Sequence, residues 1–125
     1  MQDPFISFII PVYNEEFNIR GVFRDLYAVL LEHPEWRSEV IVVEDGSKDH
    51  SRKVLQDLVK TRYPEVRLIL HEKNQGYNPS MRDGFALAKG LYVMYIGADE
   101  EFDCSEVPSF VEPLLAEGWE LVTVL

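Results

Sequence analysis

Short apolar runs alternate along the chain with stretches whose apolar residues recur every three or four positions. Phe5-Ile6-Ser7-Phe8-Ile9-Ile10 is a near-continuous apolar run, the pattern of a strand buried on both faces, and Pro11 is expected to close it. Ile19, Val22, Phe23, Leu26 and Leu30 then form one apolar stripe at helical spacing. Asn14 is expected to cap that helix, with Glu15 and Glu16 in its first turn. Residues 40–43 make a second buried strand, ended by Glu44-Asp45-Gly46-Ser47. Asp49 or Ser51 would cap the next helix, whose inner face includes Leu55, Leu58 and Val59. Residues 66–70 read as a third strand, followed by a polar loop from His71 to Asn78. Asn78 as cap and Pro79 at the first helical position open a third helix, with Met81, Phe85 and Ala88 inward and Gly90 as its stop. Residues 92–96 are a fourth buried strand. Ser105 would cap a last helix through Val107, Phe110, Val111, Leu114 and Leu115, ended by Gly118, and a fifth strand begins near Glu120.

Strand and helix alternate throughout, and the strands are short, apolar and uninterrupted. That order predicts a three-layer α/β/α domain, a mainly parallel, Rossmann-like sheet joined by right-handed crossovers. At 125 residues it is one domain, 1–125. The chain stops inside an apparent strand, residues 121–125, so a domain truncated at its C-terminus is expected. A truncated sheet exposes an edge and an apolar face, which predicts self-association into a homo-oligomer.

The polar residues of interest follow the strands. Tyr13-Asn14-Glu15 follow the first, Glu44-Asp45-Gly46-Ser47 the second, Asn74 through Arg82 the third and Gly97 through Asp103 the fourth. All four groups therefore fall at the carboxyl edge of the sheet, where parallel α/β domains bind ligands. Asp99, Glu100, Glu101 and Asp103 put four carboxylates within five positions, oxygen donors suited to hard cations such as Mg²⁺ and Mn²⁺. Asp99 and Glu101, two apart, can point to one side of an extended loop, whereas Asp99 and Glu100 diverge. Asp45 can accept hydrogen bonds from a base or ribose, or serve as a turn aspartate; Tyr13 can stack on a flat ring or pack at the sheet edge. Gly76 and Gly84 are candidates for close backbone approach to a ligand, or for loop and packing roles. Arg82 is the candidate phosphate-directed cation, against an exposed ion-pairing role.

Charge narrows the partners. Twelve Lys plus Arg against 22 Asp plus Glu give a net charge of −10, which disfavours nucleic acid and implies that a polyanionic ligand binds through a cation. The single cysteine, Cys104, excludes an internal disulfide and fits a reducing, cytoplasmic setting. Cys104, His33, His50 and His71 show neither zinc spacing nor a nucleophile–base pairing and read as structural or surface residues. Gly46-Ser47-Lys48 lacks the earlier glycine of a phosphate-binding P-loop.

Taken together, Pro11-Val12-Tyr13-Asn14-Glu15-Glu16, Val42-Val43-Glu44-Asp45-Gly46-Ser47-Lys48-Asp49, the block Asn74-x-Gly76 with Arg82, Gly84, Ala88 and Gly90, and Gly97-Ala98-Asp99 resemble the successive motifs of the family 2 glycosyltransferases of the GT-A fold. Within that family the chain is most similar to polyprenol-phosphate and dolichol-phosphate sugar transferases. The resemblance implies a nucleotide-diphosphate sugar donor, GDP- or UDP-linked, a divalent metal at its diphosphate, and a polyprenol phosphate as acceptor. It places Pro11, Tyr13, Glu15, Val43 and Asp45 around the nucleoside, Ala98 and Asp99 at the ribose and diphosphate, and the metal on Asp99, with Glu101 where relatives carry glutamine.

The chain departs from the family pattern at Glu44, which replaces an aspartate, and at Gly97, which replaces the first aspartate of Asp-x-Asp. The family's acceptor-binding half, with its general base, would lie beyond residue 125. A peripheral membrane association of the full-length protein is implied by the acceptor alone. Two other readings carry different expectations. A nucleotide or nucleotide-sugar binding module would bind without turnover, and a nucleotidyltransferase would require a basic glycine-rich loop where this chain has Tyr13-Asn14-Glu15-Glu16.

Overall fold

The structure, a computed structural model, describes residues 4–117. Four parallel strands, β1 (Ile6–Val12), β2 (Glu39–Asp45), β3 (Arg67–His71) and β4 (Tyr92–Tyr95), form one sheet in the order β3-β2-β1-β4. Helices α1 (Ile19–Glu32), α2 (Ser51–Thr61), α3 (Tyr77–Leu87) and α4 (Val107–Glu117) alternate with them. The chain steps outward from β1 through β2 to β3, then returns to the other side of β1. Right-handed crossovers therefore put α1 and α2 on one face and α3 on the opposite face. Alternate residues of β1 divide accordingly. Phe8, Ile10 and Val12 join Val22, Phe23 and Leu26 of α1, Val54 and Leu55 of α2, and Val107 and Val111 of α4 in the main core. Ile9 faces α3, where Gly84 lets the helix backbone approach: a Cβ at Gly84 would lie 2.7 Å from Ile9 Cγ2.

Several sequence expectations shift in the tertiary setting. Pro11 does not close β1 but pairs with Val43 inside the ladder. The β4 pairing has already ended at Ile9–Tyr95, so among the described residues no strand lies beside Pro11 on that side to receive an N–H, and a proline there forfeits nothing. β2 runs on through Glu44 and Asp45. α3 begins at Tyr77 behind Gly76, which puts Asn78 and Pro79 inside its first turn, and Phe85 points to solvent while Met81 is buried. α3 also stops at Leu87, before Gly90, whose N–H donates to Ser7 Oγ at 2.8 Å. β4 is short and only half-buried, because it is an outer strand of the described sheet. Asp103, not Ser105, caps the turn before α4, accepting Ser105 N–H at 2.9 Å. The expected stop at Gly118 and the fifth strand lie outside the described residues.

Candidate functional site

A cleft of about 410 Å³, within the range of small-ligand pockets, opens at the carboxyl ends of the strands. It is lined by the end of β1 and its loop (Pro11, Val12, Tyr13, Glu15), the end of β2 (Asp45), the approach to α3 (Asn74, Gly76, Tyr77, Ser80) and the end of β4 (Tyr95, Ala98, Asp99). β1 and β4 flank the point where strand order reverses, the topological switch point of the sheet.

The loops around this cleft are tied to each other by side chains that a linear reading takes for helix caps. Asn14 adopts a left-handed backbone (φ 54°), its N–H donates to Ser47 Oγ at 2.9 Å, and its Oδ1 accepts Lys48 N–H at 2.8 Å. Glu15 N–H donates to Ser51 Oγ at 2.8 Å and Glu16 N–H to Asp49 Oδ2 at 3.2 Å. Asn14, Ser51 and Asp49 therefore staple the β1–α1 turn to the β2–α2 turn. Asp49 also retains a capping bond to Ser51 N–H at 2.8 Å. α1 itself starts only at Ile19, behind Asn18, so Glu15 and Glu16 precede it.

Asp45 organises the far wall. Its Oδ1 lies 2.8 Å from His71 Nδ1 and accepts Gln75 N–H at 2.8 Å; its Oδ2 accepts Asn74 Nδ2 and Gly76 N–H, each at 2.9 Å. A carboxylate has about four lone-pair positions, and four protein donors meet them here. Burial pushes the Asp45 carboxyl up, but the bonds from His71, Gln75 and Gly76 outweigh it and hold the group below the usual carboxylate range. Gly46, at φ +66°, permits the loop to come this close: a Cβ there would sit 2.5 Å from Asn74 N. Glu44, fully buried, accepts Ser47 N–H at 2.7 Å and Arg52 Nε at 3.1 Å, and the same guanidinium reaches the His71 carbonyl. Its replacement of aspartate thus serves a turn and an ion pair behind the cleft.

The remaining wall is aromatic and acidic. Tyr77 and Tyr95 meet edge to face with centroids 5.7 Å apart, and Tyr13 stands partly exposed at the rim. Burial first, then the neighbouring Tyr77, Asp99, Glu101 and Glu15, pushes the Tyr95 phenol up. Glu15, Asp45 and Asp99 line the cleft, and no Lys or Arg among the described residues does.

Of the sequence candidates, Pro11, Tyr13, Glu15, Asp45, Ala98 and Asp99 line this one cleft. Val43 is fully buried in the ladder against Pro11 and is absent from the lining. Glu101 is also absent from it; its N–H donates to Asp99 Oδ1 at 3.1 Å and its side chain is exposed. Arg82 is exposed and outside the cleft, and Gly84 serves packing against Ile9. His71 and Asp83 are the residues the sequence reading missed. His71 Nε2 lies 2.6 Å from Asp83 Oδ2, which makes an Asp45–His71–Asp83 chain behind the wall. Their spacing of 26 and 12 residues leaves no local signal. Ser80 was likewise unmarked; its Oγ is buried with no hydrogen-bond partner. No group of three or more His, Cys, Asp or Glu that could by itself hold a metal ion occurs among the described residues.

A parallel α/β domain with an acidic, aromatic cleft at its switch point belongs to the nucleotide-binding class of folds. The family profile described as Glycosyl transferase family 2 matches residues 7–124, and the chain belongs to that family. It is 34% identical over 119 residues to an undecaprenyl-phosphate 4-deoxy-4-formamido-L-arabinose transferase of Pseudomonas savastanoi pv. phaseolicola, covering 94% of this chain and 34% of that protein. It is 29% identical over 117 residues to a dolichyl-phosphate beta-glucosyltransferase of Saccharomyces cerevisiae, covering 90% and 35%. The chain thus spans about a third of the length of these relatives. A mannosyltransferase of Pyrobaculum calidifontis, solved in complex with GDP-Man and Mn2+, superposes with a TM-score of 0.68 at 23% identity, covering 79% of this chain and 28% of that one. The fold is GT-A, as the order of elements and motifs implied.

Proposed function

We propose that this chain is the donor-binding part of a glycosyltransferase that takes a nucleotide-diphosphate sugar, GDP- or UDP-linked, with Mg²⁺ or Mn²⁺ at the diphosphate. The observation that carries the reading is the sign of the cleft. With Asp45 already matched by His71 and its loop donors, Glu15 and Asp99 leave the cleft acidic, and no Lys or Arg among the described residues lines it, so a pyrophosphate there calls for an intervening cation. Small divalent cations are held by one or two carboxylates together with substrate phosphates, so Asp99, which faces the cleft, is the residue that would hold the ion; Glu101, two residues on, is the second carboxylate of the loop but stands outside the lining. When bound, such an ion supplies Lewis-acid stabilisation of the charge left on a departing nucleoside diphosphate.

The chain's own residues bind and orient. Pro11, Tyr13, Glu15 and Asp45 enclose the nucleoside, Tyr77 and Tyr95 exclude water from its flat face, and Ala98 leaves room for the ribose. Val43 supports Pro11 from within the sheet. The acceptor in the full-length protein is a polyprenol phosphate, which the names of the curated relatives support. Such an enzyme works on the cytoplasmic side with a peripheral contact to the membrane; no helix among the described residues is long and apolar enough to cross one.

Calorimetry with UDP-glucose and GDP-mannose, with and without Mn²⁺, tests the reading. Metal-dependent binding of either is expected, and binding that ignores the metal overturns it. A second reading, a binding module without turnover, is favoured by Gly97, which removes one carboxylate from the metal loop. Binding with no sugar transfer by the full-length protein would select it.

A further inference from the structure

His71 is the one buried histidine among the described residues, and both of its ring nitrogens face carboxylates. A neutral imidazole carries one N–H and can donate from one nitrogen only. Ionised carboxylates offer acceptors only. The contacts at 2.8 Å to Asp45 Oδ1 and 2.6 Å to Asp83 Oδ2 are therefore both made only by the imidazolium.

The charges facing the ring can be taken element by element. β2 contributes Asp45 and, one residue earlier, Glu44, which is already paired with Arg52. α2 contributes that Arg52, whose guanidinium binds the His71 carbonyl and not the ring. α3 contributes Asp83, partly exposed. Glu72 and Lys73, which follow His71, are exposed. Burial pushes the imidazole down, yet the bonds to Asp45 and Asp83 outweigh it and raise its basicity above the ordinary histidine value.

Asp45 in turn gathers Asn74, Gln75 and Gly76, and Asn74 and Gly76 are cleft wall. We propose that the His71 imidazolium, clamped between Asp45 and Asp83, is a positioning residue for the donor pocket, fixing the Asp45 carboxylate that shapes the pocket wall, so that nucleotide-sugar affinity depends on the charge of His71. The proposal rests on the donor-site reading above. On deprotonation one of the two contacts must be given up, and Asp45 then turns against a weaker partner or His71 leaves Asp83.

The test measures binding of UDP-glucose and GDP-mannose with Mg²⁺ from about pH 6 to 8.5, using sugar nucleotides because they have no terminal phosphate titrating in that range. The full chain is compared with Asp83→Asn and His71→Gln. In the parent, affinity falls as pH rises through the His71 titration, by about tenfold for each unit of basicity that binding adds to the ring. Asp83→Asn removes one raising charge without touching the cleft, so its midpoint moves to lower pH, while His71→Gln binds more weakly and without that titration. Parent affinity that is flat over the range, or an Asp83→Asn midpoint equal to the parent's, overturns the proposal. The imidazole ¹⁵N resonances of His71 give a ligand-free readout: both nitrogens still protonated above the ordinary histidine value in the parent, and a lower midpoint in Asp83→Asn. If neither nucleotide sugar binds at any pH while those resonances behave as expected, the donor-site reading falls and the ion chain stands. If the resonances titrate like a free histidine, the ion chain itself falls.

Discussion

Gly84→Ala sets two opposing effects against each other at the contact that seats α3 on β1. In a helix interior the exchange ordinarily gains about 1 kcal/mol of stability. Here the new methyl would stand 2.7 Å from Ile9 Cγ2, 3.2 Å from Cδ1 and 3.4 Å from Cγ1, against a side chain that is fully buried. Overpacking of that kind costs about 1–3 kcal/mol. The net expectation is a loss of about 0–2 kcal/mol, nearer the upper end because the 2.7 Å contact involves the branch methyl of Ile9, which has nowhere to turn. For a domain of this size that is a fall in Tm of up to roughly 8 °C. The decisive assay is a double-mutant cycle by urea and thermal unfolding. Ile9→Ala alone should cost about 2–5 kcal/mol. In that background all three clashing carbons are gone, so Gly84→Ala should reverse sign and stabilise by about 1 kcal/mol, a coupling of about 2 kcal/mol between neighbours. If Gly84→Ala has the same sign in both backgrounds, α3 is not seated on Ile9, and the placement of Gly76, Tyr77 and Ser80 in the cleft loses its support.

Three further outcomes are expected. Ser80→Ala deletes a buried hydroxyl that has no partner, so thermal unfolding should show unchanged or slightly higher stability, by up to about 1 kcal/mol; a loss of that size would reveal a hydrogen bond at Oγ. Glu101→Gln and Glu101→Ala should each weaken Mn²⁺-dependent nucleotide-sugar binding, and titrations in which both match the parent would show that Asp99 and the ligand phosphates hold the ion unaided. Cys104 is buried, and burial pushes its thiol up to about 11, so alkylation near neutral pH should be slow in the native chain and fast in urea. Rapid native labelling would contradict the packing of Cys104 in the core.

The Asp45–His71–Asp83 chain also gives stability a defined pH profile. The Asp45 carboxyl is depressed, so its contribution is present above 3.8 and fades as pH falls through the lowered value. The His71 imidazole is raised, so its contribution is complete below 6.5 and fades as pH rises through the raised value. Maximal benefit from the pair therefore lies between those limits, and His71→Gln should narrow its deficit against the parent toward alkaline pH.

Much of the fold and half of the site were legible in the linear chain, for reasons that particular residues show. Runs such as Phe5 to Ile10 and the stripe Ile19, Val22, Phe23, Leu26 report local periodicity, which the backbone converts directly into strand and helix. Their alternation admits few topologies, and those place Tyr13, Asp45 and Asp99 at one edge whatever the details. What a polar side chain does at that edge is a different matter, because its partner is chosen by packing across the sheet and not by sequence neighbours. Asn14, Asp49 and Ser51 look like caps until the two turns they staple are side by side. Pro11 looks like a terminator until the end of the β4 pairing at Ile9 and its own pairing with Val43 are seen. His71 looks inert until β2, β3 and α3 bring Asp45 and Asp83 to its two nitrogens across 26 and 12 residues of chain. Periodicity, then, settled the architecture and the edge at which the cleft opens. Only tertiary structure decided which donors meet which acceptors, since hydrogen bonds act over about 3 Å and the chain alone does not say who lies that near.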